Sequence, residues 1–224
     1  MRMMHHVLNP LIGKGCLIFV DDIIVYSKSL QEHLETLQKV FDLLRKYNLK
    51  VQVEKTEFLK KSVPFLGHII TAQGIKPNPE KLAIIKNWPL PKNETQLKGF
   101  LGLLGYYRKF IKDFAKIVKP LTAKLRGSEG KNREIKHNNE FIKTFENCKE
   151  ILQSSAILQY PDFSKKFHLT TDASNYAIGA VLSQPPRNKP VQFISRTLTK
   201  TEEKYSTIEK EALAIIWAVK TLRP

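Results

Sequence analysis

Two short β-rich apolar runs, Cys16 to Val20 and Ile23 to Ser27, flank the pair Asp21-Asp22. That spacing predicts a tight β-hairpin with both carboxylates at its tip. Beyond it Leu34, Leu37, Val40, Phe41 and Leu44 recur at helical spacing, which predicts an amphipathic helix over 30–47 with Asn48 as its stop. Short strands are expected at 51–58 and 63–70, and Lys76-Pro77-Asn78-Pro79 then changes the texture and marks a boundary. From 79 to 126 the signals are helical, punctuated by Pro89, Pro91 and Pro120. Asn93-Glu94-Thr95-Gln96 offers a cap for an apolar set at Leu97, Phe100, Leu101, Leu104, Tyr107 and Phe110. Gly99, Gly102 and Gly105 weaken that helix intrinsically and are expected to permit a close backbone approach. A polar loop is expected at 127–139, then a helix at 140–152, strands at 166–171, 177–183 and 191–195, and a helix at 200–222. In that last helix Ile208, Ala212, Ile215, Val219 and Leu222 define the expected buried stripe, with Glu211 on or beside it.

At 224 residues and 42% hydrophobic the chain is long enough for one or two packed domains. Its apolar stretches fall short of the ~20 residues a membrane-spanning helix needs. The start, Met1-Arg2-Met3-Met4-His5-His6, lacks an apolar core followed by small residues, so no secretory leader is expected. Cys16 and Cys148 lie far apart and support neither a disulfide framework nor a four-ligand zinc site; both are expected to be buried thiols in a reducing compartment. Charge alters the picture. The net charge is +16, and Lys92 to Lys136 carries 12 Lys and Arg against 4 Asp and Glu. Such a surface attracts polyanions in a salt-dependent way, and it also serves plain solubility; charge alone leaves both readings open.

The candidate chemistry lies in carboxylates. Asp21 and Asp22, adjacent like charges between apolar strands, are relieved by a divalent cation or by full solvation in a turn. Two-metal phosphoryl-transfer sites require hard carboxylate ligands on rigid elements, and a hairpin tip is such an element. Asp172 ends a predicted strand, and Glu211 needs either a metal or an ordinary side-chain partner near its apolar stripe.

These residues carry a resemblance. Phe19-Val20-Asp21-Asp22-Ile23-Ile24-Val25-Tyr26-Ser27 resembles the polymerase hairpin of gypsy-type LTR retrotransposon reverse transcriptases, with Phe19 where Tyr is usual. Asn48-Leu49-Lys50 through Lys55-Thr56-Glu57-Phe58 is similar to the segment after the palm helix, and Phe65-Leu66-Gly67-His68 to the primer grip. Gly74-Ile75-Lys76-Pro77 and the run Phe100 to Ile111 resemble the thumb and connection. Leu169-Thr170-Thr171-Asp172-Ala173-Ser174 with Gly179 to Gln184, and Tyr205 to Ile215, resemble the opening strands and acidic helix of ribonuclease H. The set covers essentially the whole chain in family order.

The resemblance implies an α/β plus helical fold: a partial reverse-transcriptase palm at 1–75, a helical thumb and connection at 76–160, and a truncated ribonuclease H-like domain at 161–224. It implies that Asp21, Asp22, Asp172 and Glu211 are catalytic metal ligands for magnesium, with manganese as the alternative. Phe65, Leu66, Gly67, His68, Lys98, Arg108, Lys109 and Lys112 would contact primer and nucleic acid. Lys55 is either a proton donor to pyrophosphate or a surface lysine. The implied partners are an RNA template, a DNA primer, an RNA–DNA hybrid and the remainder of the Pol polyprotein, with no membrane, in intracellular, cytoplasmic retrotransposon particles. The family's earlier palm aspartate and later ribonuclease H acids have no counterpart here, so this fragment alone is expected to be inactive. The alternative is a catalytically inactive, retroelement-derived protein that binds nucleic acid or another protein.

Overall fold

The computed structural model describes residues 2–125, 133–154, 157–186 and 188–223. They belong to two compact units, residues 1–59 and residues 60–224. Residues 127–132 of the polar loop expected at 127–139 lie outside the described residues.

In the first unit helix α1 (Arg2–Leu8) precedes the hairpin of β1 (Cys16–Phe19) and β2 (Asp22–Val25), then helix α2 (Leu30–Lys46). Alternation puts Cys16 and Ile18 of β1 and Ile23 and Val25 of β2 on one face, and this face packs with Val7, Leu8, Val40 and Leu44. Helix α2 starts at Ser29, whose hydroxyl accepts from the Glu32 N–H, and stops where expected. Asn48 adopts a left-handed φ of 54°. The Asn48 N–H donates to the Arg45 carbonyl and the Leu49 N–H to the Leu44 carbonyl, the paired bonds that close a Schellman turn. Leu34 corrects the expected face: it is 54% exposed, and Thr36, Val40 and Leu44 are the buried positions. The strand expected at 51–58 does not form; Val53–Lys55 is a 3-10 turn, and Val53 and Phe58 are exposed. A β-prone run that pairs with no other strand gains nothing from extension.

The second unit opens on a three-stranded antiparallel meander, β3 (Ser62–Phe65), β4 (His68–Thr71) and β5 (Gly74–Pro77). The run expected as a single strand at 63–70 is therefore a hairpin turning at Leu66-Gly67, and β5 occupies the place of the expected boundary. Helices α3 (Pro79–Lys86), α4 (Glu94–Tyr106), α5 (Phe114–Thr122) and α6 (Asn139–Gln153) follow. Asn78, Asn93 and Asn138 each cap a helix through a side-chain oxygen. Their core gathers Ile85, Leu97, Phe100, Leu104, Tyr107, Phe110, Val118, Leu121, Phe141, Phe145 and Leu152, so the apolar set expected on α4 is buried, with Leu101 half-buried at its margin. Cys16 and Cys148 are buried thiols, and burial pushes Cys148 up to about 12.

The last sheet is antiparallel, β6 (His168–Ala173), β7 (Ala177–Gln184) and β8 (Lys189–Thr197), and helix α7 (Thr207–Thr221) packs on β6 and β7. The helix expected from 200 splits: Glu202–Lys204 is a 3-10 turn, and Ser206 and Glu209 form a capping box that starts α7. The expected stripe on α7 is corrected too. Ile208 is 82% exposed and Ile215 and Val219 are also exposed, whereas Ala214 and Ala218 are fully buried against the sheet. Apolar residues surround this helix, so periodicity does not choose a face; small side chains win because they let the helix approach the sheet closely.

Candidate nucleic-acid and metal sites

The β1–β2 register pairs Phe19 with Asp22 and leaves Val20 and Asp21 as a two-residue turn. Val20 has φ 56°, a conformation that a β-branched residue rarely adopts and that costs of order 1–3 kcal/mol. Asp21 and Asp22 are both solvent-exposed at this tip. The pair supplies oxygen donors of the right kind for a hard cation, yet among the described residues no group of three or more His, Cys, Asp or Glu gathers to hold one. Lys55 lies exposed in the 3-10 turn after α2.

The Leu66-Gly67 turn is the second locus. Both residues have positive φ, 47° and 69°, the signature of a two-residue primed hairpin turn, where Asn or Gly is usual at the first place. Two residues absent from the sequence-based candidates hold it. The Tyr106 hydroxyl donates to the Leu66 carbonyl, and the Tyr107 hydroxyl donates to the Gly67 carbonyl at 2.9 Å. His68 Nδ1 lies 2.6 Å from the Leu66 carbonyl, and its ring sits among Tyr106, Tyr107 and Phe110 at 5.2–5.7 Å. Burial lowers the His68 pKa and the Lys109 charge lowers it further, so the ring is neutral near pH 7. A signal for Tyr107 existed in the sequence, because a Tyr on a buried helix face needs a partner for its hydroxyl; Tyr106 is half exposed and gave no such signal. Nothing in their spacing said that the partner lies 40 residues earlier.

The basic candidates differ in availability. Arg108 and Lys112 are exposed. Lys98 is exposed as well, with its ammonium 3.8 Å from Glu94 one helical turn earlier. Lys109 is half-buried over the Phe110 ring at 5.3 Å, and burial lowers its pKa. Of the three glycines on α4, a Cβ at Gly99 would meet the Trp88 ring at 3.6 Å, whereas one at Gly102 or Gly105 would meet nothing within 4 Å. The close approach expected there has no partner within the described residues at Gly102 or Gly105.

In the last sheet Asp172 and Glu211 occupy different surroundings. Ala173 and its register partner Ile178 pack with Leu213, Ala214 and Trp217, on the α7 side. By alternation Asp172 and its partner Gly179 face the other way. A Cβ on Gly179 would lie 3.0 Å from Asp113 Oδ1, and Asp172 shares a shallow pocket of about 10 Å³ with Asp113, Lys116, Ser174 and Ser195. Asp113 has φ 55° and does not cap α5; Ser195 Oγ on β8 instead accepts the Ala115 N–H at 2.9 Å. Glu211 is half-buried on α7 beside Lys210.

Comparison with known proteins decides the family. Residues 1–70 match the family described as reverse transcriptase (RNA-dependent DNA polymerase), and residues 138–224 the RNase H-like domain found in reverse transcriptase. The chain is 52% identical over 223 residues to the retrovirus-related Pol polyprotein from transposon 297 of Drosophila melanogaster, covering 99% of this chain. The chain belongs to the gypsy-type Pol polyprotein family. The Pol polyprotein from transposon gypsy of the same organism is 43% identical across 99% of the chain, and a Tf2-3 polyprotein of Schizosaccharomyces pombe is 35% identical across 97%.

This piece of Pol spans about a fifth of the length of those relatives: 20%, 22% and 17%. Among solved structures it is similar to a foamy viral protease-reverse transcriptase in complex with double-stranded DNA, with TM-score 0.89 and 27% identity, over 98% of this chain and 38% of that one. It is similar, with TM-score 0.86, to a foamy viral protease-reverse transcriptase in complex with an RNA/DNA hybrid, over 98% of this chain and 30% of that one. The two family matches bracket helices α3–α5, and the foamy viral likeness runs across them.

Proposed function

We propose that this chain is the part of a retrotransposon Pol polyprotein that carries the polymerase carboxylate hairpin, the primer-handling turn and the opening of the ribonuclease H-like domain. Its parent would copy RNA into DNA and cleave the RNA strand of RNA–DNA hybrids. The observation that carries this is the hairpin tip: a strained Val20 turn holds two adjacent carboxylates in solvent, an arrangement costly for stability alone. Asp21 and Asp22 would hold divalent metal, magnesium or manganese, whose charge would activate a primer hydroxyl and stabilise the leaving pyrophosphate. The Leu66-Gly67 turn would receive the primer end. Exposed Lys98, Arg108 and Lys112 would contact phosphates without reading sequence, and the open Gly102 and Gly105 face of α4 would let a duplex approach. Asp172 and Glu211 would serve RNA cleavage, with further ligands from the rest of the polyprotein.

The test uses the longer reading frame and this chain in parallel. Asp21→Asn in the longer protein should abolish primer extension and spare RNA cleavage, and Glu211→Gln should do the reverse. The 224-residue chain should do neither and still bind the hybrid. A longer protein in which both substitutions leave both activities intact would remove the assignments, and the chain would then stand as a nucleic-acid-binding module.

A further inference from the structure

We propose that Tyr106, Tyr107 and His68 are positioning residues that aim the amides of the Leu66-Gly67 turn at the terminal phosphodiester of the primer. This rests on the primer-handling reading above. The turn has two carbonyls and two N–H groups outside the strand ladder. Both carbonyls are occupied twice: that of Leu66 by the Tyr106 hydroxyl and His68 Nδ1–H, that of Gly67 by the Tyr107 hydroxyl and the Asn78 N–H at 3.1 Å. A trans peptide sets its C=O and N–H on opposite sides. Pulling the Leu66 carbonyl toward the tyrosines therefore turns the Gly67 N–H away from them. Neither the Leu66 nor the Gly67 N–H meets a backbone acceptor among the described residues. The outward Gly67 amide, next in sequence to the Leu66 N–H, is a donor suited to one anionic oxygen.

Three details separate this clamp from ordinary packing. Tyr106 is 50% exposed, so its hydroxyl has water available and has no need of a carbonyl 40 residues away to avoid a burial penalty. Gly67 has φ 69°, which favours glycine, and it fits closely under the tyrosines: a Cβ there would lie 3.2 Å from the Tyr107 hydroxyl and 3.3 Å from the Tyr106 ring, so both would have to shift. His68 donates to a carbonyl, which accepts only, and this fixes its proton on Nδ1. Its Nε2 is then a buried acceptor without a partner among the described residues, a cost incurred for the bond at the other nitrogen. The clamp also ties the turn to the end of α4, so that helix and turn move together.

The experiment measures binding of the 224-residue chain to two short primer–template duplexes at low salt by fluorescence anisotropy. One duplex has a normal terminal phosphodiester in the primer, the other an uncharged methylphosphonate at the same place. The wild-type chain should prefer the charged duplex by about tenfold, the order of one charge-assisted hydrogen-bond pair. Tyr106→Phe/Tyr107→Phe should bind both duplexes equally, at the wild-type affinity for the methylphosphonate. A loss of packing alone would weaken both duplexes and keep their ratio. Tyr106→Phe alone, at a half-exposed site that tolerates the change, should reduce the ratio if the double variant fails to fold. A variant that retains the full preference overturns the positioning role. A wild-type chain with no preference overturns the primer-handling reading beneath it.

Discussion

Gly74 joins β5 to the chain that follows α6, and replacing it with alanine tests whether that junction holds the second unit together. The Ile75 N–H donates to the Leu158 carbonyl at 2.8 Å and the Leu158 N–H returns a bond to Ile75 at 2.9 Å. Gly74 has φ 138°, and a Cβ built there would overlap the Leu158 carbonyl. The overlap is with backbone, so no rotamer relieves it. If the backbone holds, the left-handed conformation costs about 1–3 kcal/mol on top of the clash. If it retreats, two hydrogen bonds worth about 1 kcal/mol each are lost, and Leu158, 4% exposed, leaves a core that its side chain stabilises by about 1.5–3 kcal/mol. The two routes converge on a loss of about 3–5 kcal/mol for Gly74→Ala. Urea denaturation followed by tryptophan fluorescence reads it, since Trp88 and Trp217 both lie in this unit. Gly102→Ala is the control: its Cβ meets nothing within 4 Å, and mid-helix alanine should stabilise the free chain by about 0.5–1 kcal/mol. Equal midpoints for Gly74→Ala and wild type would refute the reasoning.

The same Gly102→Ala chain should bind an RNA–DNA hybrid more weakly than wild type despite its greater stability, because the methyl group would occupy the α4 face proposed to receive a duplex; unchanged affinity would remove α4 from the proposed interface. If Lys98, Arg108 and Lys112 contact phosphates as proposed, hybrid affinity should fall about fortyfold between about 50 and 200 mM salt, and a flat salt titration would leave the basic surface as a solubility feature. The Arg196 guanidinium holds Glu202 in a two-bonded pair at 2.7 and 2.9 Å and lowers its pKa to about 2. A carboxylate depressed on folding contributes stability that is full above its ordinary pKa of 4.5 and is lost as pH falls toward about 2. Glu202→Gln should therefore lower stability at neutral pH and flatten its decline across that acid range; parallel acid-unfolding curves would show that the pair contributes nothing measurable.

Local signals carried much of this protein. Ser29, Asn93 and Asn138 cap helices because a short polar side chain next to an apolar-periodic run satisfies free amides wherever it occurs, and Asn48 ends α2 because Asn tolerates the left-handed turn. The hairpin was equally legible, since strand, turn and strand are adjacent in sequence, but its turn falls on Val20-Asp21, one residue earlier than the expected Asp21-Asp22, and Asp22 opens β2. Three other features depended on distant partners. Val51 to Phe58 has the composition of a strand and forms none, because extension is stabilised only by an edge to pair with. On α7 every side is apolar, and the sheet selected Ala214 and Ala218 over Ile208 and Ile215 because the smaller residues allow closer packing. Asp172 and Gly179 were recognisable as a motif, yet only strand register showed that they face Asp113 and the start of α5. The Tyr106 and Tyr107 hydroxyls reach a turn 40 residues away, a pairing set by how helix α4 and the β3–β4 hairpin fold against one another. Hydrogen-bond chemistry requires that a buried hydroxyl find an acceptor, and tertiary packing alone determines which one it meets.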